Sequence, residues 1–322
     1  MRRRAGFSLS PEPGADASPG LLATRPPSDV RYAALALATV GVPTRGLPGG
    51  KYANPQLLVE TEELARMMST PGVRIVDVRS GMRGSVTYRV GHVPGAALLD
   101  ANDLDDPAAN VEGLPIRPAA AEALFGRLGI DQDTTVVAYD DGGSVLAARL
   151  FFVLDYYGHD RVRVLSGGLT KWRREGRPLE SATPTIAPRR FEPRPRREAL
   201  ATASDVRASL GRAEACLIDA RSPGEYTASD KGSVRGGHIP GAANVEWTAT
   251  LNPDGTFKDA DALLALFGAA GVRPDKTALV YCGSGVRSAQ DYLALRLIGV
   301  RVRNYDASWD EWGRTPALPV EK

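Results

Sequence analysis

The feature that most constrains the fold of this 322-residue chain is an internal repeat. Four segments of its first half return in its second half, in the same order and at nearly the same spacing. Because matching segments at one spacing indicate duplicated units, we interpret the chain as two copies of one domain. The pairs are IVDVRS (75–80) with LIDARS (217–222), GHVPGA (91–96) with GHIPGA (237–242), VVAYDDGGS (136–144) with ALVYCGSGV (278–286), and LSGGLTKW (165–172) with YDASWDEW (305–312).

Each copy alternates short runs rich in Val and Ile with segments that have helical spacing of apolar residues. The runs predict buried strands, and the segments between them predict amphipathic helices. Strands that alternate with helices are typical of an α/β fold, in which helices cover both faces of a mainly parallel sheet. We therefore predict two such domains in tandem. The predicted strands are 73–78, 135–139, 162–165, 216–220, 277–281 and 301–305, and the predicted helices include 119–128, 260–267 and 288–298.

Composition suggests where the two copies begin and end. Residues 1–52 are rich in Pro, Gly, Ser and Ala, which predicts a disordered leader, with a transit peptide as the alternative. The apolar run Ala33–Val42 has 10 residues, whereas a membrane-spanning helix needs about 20. We predict a first domain at 53–180, a linker rich in Pro and Arg at 181–200, and a second domain at 201–322.

Charge and cysteine content argue against several classes of function. The formal net charge is +2, and binding to nucleic acid or to a membrane surface needs a concentrated basic region. Two cysteines and three histidines leave no plausible Cys/His metal site and no disulfide framework. The scarcity of cysteine predicts a reducing compartment, with the cytoplasm as the default location.

Features that both copies share are attributed to the fold. A D-x-R motif ends a predicted strand in each copy, and we interpret the two motifs as structural ion pairs. An H-x-P-G turn begins with His92 in the first copy and with His238 in the second, and a structural hydrogen bond is the favoured role for each. Trp172 and Trp312 close equivalent segments and are predicted to be core aromatics.

One position differs between the copies in a way that affects chemistry. Asp140 follows a predicted strand in the first copy, whereas Cys282 follows the equivalent strand in the second. At a turn from strand to helix the first NH groups are unpaired and the helix dipole favours an anion, so such a turn stabilises a thiolate. The other cysteine, Cys216, is interpreted as strand packing. At most one copy can therefore be a cysteine catalyst.

The neighbours of Cys282 favour a nucleophile over an inert buried thiol. The two glycines of the loop can adopt backbone angles that turn NH groups toward the sulfur. Arg287 adds a permanent cation, and Ser284 and Ser288 add hydroxyl donors. The same surroundings would hold the charge of a persulfide. We predict Cys282, Ser284 and Arg287 as catalytic residues, with substrate contacts from Gly283, Gly285, Val286 and Ser288.

In these motifs the chain resembles the tandem-domain rhodanese-like sulfurtransferases, from about Gln56 to the C-terminus. The resemblance implies that Cys282 takes the outer sulfur of a donor, holds it as a persulfide and passes it to a thiol or to cyanide. A thioredoxin-like protein is one candidate acceptor. The resemblance also implies an active site between the domains and no need for a metal or an organic cofactor.

The resemblance favours 3-mercaptopyruvate as the donor and keeps thiosulfate as the alternative. The loop CGSGV (282–286) matches the mercaptopyruvate enzymes, which typically read CGSGVT. Arg287 and Ser288 replace the Thr and resemble a bacterial group of thiosulfate enzymes. Mercaptopyruvate enzymes also carry an arginine where this chain has Glu225. Further substrate contacts implied by the resemblance are Arg221, Arg235 and His92, with His92 and Ser284 also part of a proton relay.

Two other classes of function are weighed against the sulfurtransferase. One class of dual-specificity phosphatases shares the scaffold but has a C-x5-R loop, whereas four residues separate Cys282 from Arg287. The shorter loop makes a smaller anion pocket, which suits sulfur better than a phosphoryl group. A non-catalytic binding or sulfur-carrier module would fit the first copy, but an intact loop around Cys282 argues against it for the second.

Overall fold

Two five-stranded parallel sheets form the framework of the molecule. The computed structural model describes residues 50–230 and 235–322, so the predicted leader lies, as far as residue 49, outside the described residues. Each sheet is assembled from one copy of the repeat, with strand orders β1-β5-β4-β2-β3 and β6-β10-β9-β7-β8 in the ranges given below. Every pairing between these strands is parallel. The predicted α/β fold of two tandem domains is confirmed.

The elements of the two domains follow the same order along the chain. The first domain has strands β1 (Leu58–Val59), β2 (Val73–Arg79), β3 (Ala97–Asp100), β4 (Thr135–Tyr139) and β5 (Val162–Leu165), and helices α1 (Thr61–Met67), α2 (Gly81–Val90), α3 (Pro118–Arg127), α4 (Val145–Tyr156) and α5 (Gly168–Arg174). The second has strands β6 (Leu200–Ala201), β7 (Ala215–Asp219), β8 (Ala243–Asn244), β9 (Thr277–Tyr281) and β10 (Val302–Tyr305), and helices α6 (Ala203–Ser209), α7 (Pro223–Tyr226), α8 (Ala260–Ala269), α9 (Val286–Leu297) and α10 (Ser308–Arg314). Short 3-10 turns lie at Pro55–Leu57, Ala101–Leu104 and Trp247–Thr250.

The central strands are apolar because helices cover both of their faces. In β9, Ala278 and Val280 pack into one cluster of core residues, whereas Leu279 and Tyr281 pack into another on the opposite face. Successive side chains of a strand point to opposite faces, so a strand buried on both sides has no polar alternation. This burial explains why the sequence predicted β4, β5 and β9 with the observed bounds.

Helices α4 and α9 join the two domains through a shared apolar core. The core residues of both helices belong to one hydrophobic cluster that spans both domains. The rings of Phe152 and Tyr292 meet edge to face with centroids 5.1 Å apart. The Tyr292 hydroxyl donates to Asp155 at 2.6 Å, and Arg296 also pairs with Asp155. Arg296 thus combines an apolar stem with a charged contact across the interface.

The predicted linker has no helix or strand between residues 181 and 196, in agreement with its content of proline. Helix α2 is among the helices that were not named from the sequence, and its sequence GMRGSVTYRV has two glycines and three β-branched residues, which are weak helix formers. Within the described ranges, no helix is long and apolar enough to cross a bilayer.

Candidate functional site

Cys282 is the first residue after β9, at the carboxyl edge of the second sheet, and its exposed fraction is only 1%. The carbonyl groups of Cys282 and Gly283 accept hydrogen bonds from the NH groups of Trp309 (3.0 Å) and Asp310 (2.9 Å). These bonds tie the loop to the start of α10. The loop that carries Cys282 is therefore anchored to α10 through its carbonyl groups.

Ser308 holds the loop that carries Cys282 through hydrogen bonds. It was not predicted as a site residue. Its Oγ accepts from the NH groups of Cys282 (3.0 Å) and Gly285 (3.2 Å) and donates to the carbonyl of Tyr305 (2.7 Å). Ser308 has a φ of 52°, in the left-handed region. The equivalent residue of the first domain is Gly168, with a φ of 54°. The sequence signal that could have revealed this role was a serine in the second copy where the first copy has a glycine.

Asp140 shows what this turn can bind. Its carboxylate accepts four backbone NH groups, from Gly142, Ser144 and Leu146 at 2.9 Å and from Ala147 at 3.2 Å. Backbone amides at the start of a helix form a natural anion site. The first domain therefore fills its own anion cradle with a carboxylate, whereas the second domain places a thiol at the same strand end.

The two turns differ in length, which corrects the pairing of residues made from the sequence. Tyr139 and Tyr281 end equivalent strands, but the left-handed residue before the helix is Ser144 in one copy and Gly285 in the other. Four residues precede it in the first turn and three in the second, 140–143 against 282–284. The ungapped match of Ser144 with Val286 was wrong by one residue. With the correct register, Arg287 and Ser288 carry the NH groups that correspond to those bound by Asp140.

The predicted cradle residues surround Cys282 at the N-terminus of α9. Arg287 and Ser288 lie in its first turn, whose NH groups have no intrahelical partner. The Ser288 hydroxyl is fully buried and has no partner among residues 50–230 and 235–322. The carbonyl of Ser284 faces the first domain, as described below. The catalytic and substrate-binding roles assigned to this loop remain predictions.

Arg287 is not the free cation that the sequence suggested. Its guanidinium donates to both carboxylate oxygens of Glu225, at 2.5 and 2.9 Å. This pairing lowers the pKa of Glu225 to about 2, and the same contact raises the pKa of Arg287, with a smaller contribution from Cys282. Since a lowered carboxyl pKa stabilises the fold above the usual value near 4.5, this contribution is present at neutral pH and is lost as the pH falls toward 2.

Arg221 and Arg235 are both held by the second domain itself. Arg221 is 2% exposed, pairs with Asp219 at 2.6 Å and lies 4.4 Å from the ring centroid of Trp309. Arg235 donates to four backbone carbonyls, of Trp312, Gly313, Thr315 and Leu318, at 2.6 to 2.9 Å. These contacts give both guanidinium groups a structural task, and the substrate contacts implied for them stay predictions.

His92 lies inside the first domain and not at the Cys282 loop. Its ring stacks on Tyr88 with centroids 3.7 Å apart, and its Nδ1 contacts the Tyr88 carbonyl at 2.9 Å. His238 repeats this arrangement with Tyr226, at 3.7 Å and 3.0 Å. The repetition agrees with the structural role inferred for both histidines. No contact of His92 with Ser284 occurs in the described part of the chain, so the proposed relay has no support.

The first domain supplies one wall of the Cys282 site. A Cβ on Gly113, whose φ is +79°, would lie 2.0 Å from the Ser284 carbonyl oxygen. The neighbouring NH of Glu112 donates to Asp310 at 3.0 Å. In the same way, a loop of the second domain packs against the Asp140 turn. A Cβ on Gly255 would lie 2.2 Å from the carbonyl oxygen of Gly142. Each strand–helix turn is therefore covered by a loop of the other domain.

Asp291 carries a buried carboxyl group one helical turn after Arg287. It is fully buried, and neither oxygen has a partner in the described ranges. Burial raises the pKa of Asp291 well above its usual value, with a further contribution from Asp219. The equivalent position of α4 holds Leu150, which is also fully buried. The first domain thus shows that this site accepts an apolar side chain.

We expect the substitution Asp291→Leu to stabilise the protein. At pH 5, removal of an unpaired buried polar group should raise the free energy of unfolding by about 1–3 kcal/mol. A carboxyl whose folded pKa is raised loses stability as the pH rises from its unfolded value to its folded value, so the gain should grow with pH over this range. Chemical denaturation at pH 5 and pH 8 measures it. Asp291→Asn, which cannot titrate, should remove the pH dependence, and equal stability of Asp291→Leu and wild type at both pH values would contradict the assignment.

The described residues contain no group of three or more His, Cys, Asp and Glu that could hold a metal ion. Both cysteines in this part of the chain are free. The site places the Cys282 thiol beside the N-terminus of α9 and the Arg287–Glu225 pair.

Comparison with known proteins places this geometry in a family. A sequence profile of the rhodanese-like domain matches residues 60–175 and 202–315. The sulfur carrier protein TtuD of Thermus thermophilus is 37% identical, over 84% of this chain and 98% of its own length. The thiosulfate sulfurtransferase of Azotobacter vinelandii is 36% identical, with coverage of 84% and 98%.

A solved structure shows the same likeness. The crystal structure of SseA from Escherichia coli, a 3-mercaptopyruvate sulfotransferase, superposes with a TM-score of 0.70 at 33% identity, over 79% of this chain and 98% of that one. Both domains of the repeat are therefore matched in sequence and in fold. The chain belongs to the rhodanese-like sulfurtransferases that carry two domains in tandem.

Proposed function

We propose that this enzyme transfers a sulfane sulfur from 3-mercaptopyruvate to a thiol or to cyanide through a persulfide on Cys282. The observation that carries the proposal is the pair of equivalent turns. In the first domain four backbone NH groups bind a carboxylate, and in the second the same strand end carries a thiol. A cradle whose backbone NH groups donate to a carboxylate also suits a thiolate or a persulfide, whose charge lies on sulfur.

In the first half-reaction the Cys282 thiolate attacks the donor sulfur. An S–S bond forms, the C–S bond of 3-mercaptopyruvate breaks, and its electron pair passes to the methylene carbon. That carbon takes up the proton of the donor thiol, which gives pyruvate and the Cys282 persulfide anion. The unpaired NH groups at the start of α9 would stabilise this anion.

In the second half-reaction the acceptor attacks the outer sulfur. With cyanide, a C–S bond forms, the S–S bond breaks and its electron pair returns to Cys282 as the thiolate, which releases thiocyanate.

We infer a thiol as the biological acceptor, with a thioredoxin-like protein as the candidate. A cytoplasmic location is part of the same proposal and is supported by the two free cysteines.

The Arg287–Glu225 pair favours 3-mercaptopyruvate over thiosulfate. Thiosulfate is a dianion, and its binding gains most from an uncompensated cation. Here the guanidinium is balanced by a carboxylate at 2.5 Å. The donor 3-mercaptopyruvate has a single carboxylate and so depends less on excess positive charge. Thiosulfate, the donor in the name of the Azotobacter vinelandii relative, remains the alternative.

The test is a comparison of kcat/KM for the two donors, with thiocyanate formation from cyanide as the readout. We expect the higher value for 3-mercaptopyruvate. A higher value for thiosulfate would reverse the donor assignment. No thiocyanate from either donor would overturn the sulfurtransferase proposal itself.

We expect Glu225→Gln to shift the donor preference toward thiosulfate. The substitution removes the negative charge that balances Arg287. Glutamine can still accept the capping-box hydrogen bond from the backbone NH at the start of α7. We expect kcat/KM for thiosulfate to rise about 10-fold and that for 3-mercaptopyruvate to change by less than about 3-fold. Glu63→Gln, which removes the carboxylate paired with Arg163 in the first domain, is the matched control. An unchanged ratio of the two donors in Glu225→Gln would show that the pair does not set the preference.

A further inference from the structure

A buried ion pair joins Arg149 of the first domain to Asp306 of the second domain, which lies next to the turn that carries Cys282. Arg149, on α4, has no exposed surface. Its Nη1 donates to both carboxylate oxygens of Asp306, at 2.7 and 2.8 Å. Its Nη2 donates to Asp105 at 2.8 Å and to the carbonyl of Gly113 at 2.7 Å. One guanidinium therefore binds the second domain and, at the same time, the loop of the first domain that covers the Cys282 site.

Asp306 is in turn in contact with the loop that carries Cys282. A Cβ on Gly285 would lie 2.5 Å from Asp306 Oδ1 and 2.8 Å from the Asp306 carbonyl oxygen, so the two residues are in close contact. Asn304 connects them again, because its Nδ2 donates to Asp306 at 2.6 Å and to the Gly285 carbonyl at 3.3 Å. Gly113, whose carbonyl accepts from Nη2 of Arg149, packs against the Ser284 carbonyl. Arg149 thus contacts Asp306, which packs against Gly285, and Gly113, which packs against Ser284.

The duplication shows that the fold does not need this ion pair. Arg149 is the fifth residue of α4, and the fifth residue of α9 is Gln290. Asp306 directly follows β10, and the residue that directly follows β5 is Ser166. The equivalent positions beneath the Asp140 turn are therefore uncharged. Burial of two charges is expensive, and a neutral pair of similar volume is often as stable. The charged pair is present only at the turn with a thiol, which points to a task in function.

We propose that Arg149, in the domain without the thiol, is a positioning residue for the catalytic loop of the other domain. Its bond to Asp306 fixes the position of Gly285. Its bond to the Gly113 carbonyl keeps the first-domain loop packed against Ser284. Together these contacts hold the loop, and with it the N-terminus of α9, in place beside Cys282. The inference rests on the proposed sulfurtransferase function, and its test includes a readout that needs no sulfur donor.

The test uses the residues that the chain itself has at the equivalent positions. Arg149→Gln leaves the buried Asp306 without its cation, and Asp306→Ser leaves the buried Arg149 with Asp105 as its one carboxylate partner among the described residues. Each substitution should therefore lower the melting temperature. The double variant removes both charges and should recover most of this loss. We expect kcat of the double variant to stay about 10- to 100-fold below wild type, with KM changed by less than about 3-fold. Arg163→Gln, which removes an arginine from an unrelated ion pair with Glu63, is the control and should keep wild-type kcat.

Alkylation of Cys282 by iodoacetamide separates this proposal from the proposed function. Its rate at pH 7, followed by mass spectrometry of the Cys282 peptide, should fall at least about 5-fold in the double variant, because a loosened cradle stabilises the thiolate less. This result is expected even if neither donor is turned over. A double variant that recovers stability and also has wild-type kcat and alkylation would overturn the positioning role.

Arg149→Lys decides the question if the double variant does not fold. Lysine keeps the charge but cannot contact Asp306, Asp105 and Gly113 together as the planar guanidinium does. We expect a folded protein with kcat about 10-fold below wild type and slower alkylation of Cys282. Wild-type values for both in Arg149→Lys would overturn the proposal.

Discussion

Replacement of Cys282 by serine is expected to lower kcat for sulfur transfer by at least about 10³-fold, the size of effect seen when an enzyme loses its nucleophile. A hydroxyl is a poor nucleophile toward sulfur at neutral pH and cannot form a persulfide. Within residues 50–230 and 235–322 the Cys282 side chain makes no hydrogen bond that the change would remove, so the melting temperature should stay close to that of wild type. Thiocyanate formation and a thermal melt measure the two quantities.

Cys216→Ser is the matched control for this prediction. Cys216 lies in β7, half-buried, and its Sγ contacts the Ala270 carbonyl at 3.2 Å. Burial raises the pKa of this thiol, which disfavours the reactive thiolate. We expect Cys216→Ser to keep wild-type turnover. Loss of activity in Cys216→Ser, with activity kept in Cys282→Ser, would reverse the roles of the two cysteines.

The second large effect is expected from Gly285→Ala. Gly285 has a φ of +76°, which costs an alanine roughly 1–2 kcal/mol. Its new Cβ would also lie 2.5 Å from the Asp306 carboxylate, so the loop and the ion pair beneath it must separate. We expect kcat to fall about 10²-fold, because small displacements of catalytic groups have effects of this size. Steady-state kinetics and alkylation of Cys282 provide the measurement.

Gly283→Ala tests whether any methyl group in the loop has the same effect. A Cβ on Gly283 would meet only Nη2 of Arg287, at 3.0 Å, and this atom is the far end of a flexible side chain. Gly283 is half-buried and does not have a left-handed φ, and alanine keeps the backbone NH of this predicted substrate contact. We therefore expect kcat of Gly283→Ala to stay within about 5-fold of wild type. Equal losses in the two variants would show that the contact of Gly285 with Asp306 is not what holds the loop.

The sequence was informative where one segment of chain carries the signal by itself. The runs Thr135–Tyr139 and Thr277–Tyr281 are apolar because both faces of each strand are buried, and their bounds were predicted as observed. The difference between Asp140 and Cys282 was equally visible, since it is a difference of residue type at one position. Short edge strands such as Leu58–Val59 gave no signal, because two residues have no period.

The contacts of the charged groups could not be read from the sequence, because they join residues distant in the chain. Arg287 meets Glu225 across 62 positions, and Arg149 meets Asp306 across 157. Glu225 was interpreted as the loss of a cation, whereas it is the partner that neutralises one. Arg235 likewise turns to carbonyl groups of the C-terminal segment, which follow it by 77 to 83 positions.

Mass spectrometry of the loaded enzyme shows directly whether Cys282 carries the transferred sulfur. The enzyme is incubated with 3-mercaptopyruvate or thiosulfate without an acceptor, and the Cys282 and Cys216 peptides are analysed by mass spectrometry. We expect the Cys282 peptide to gain the mass of one sulfur atom and the Cys216 peptide to remain unmodified. Cyanide should then remove the added sulfur as thiocyanate. An unmodified Cys282 peptide in an enzyme that still produces thiocyanate would contradict this role of Cys282.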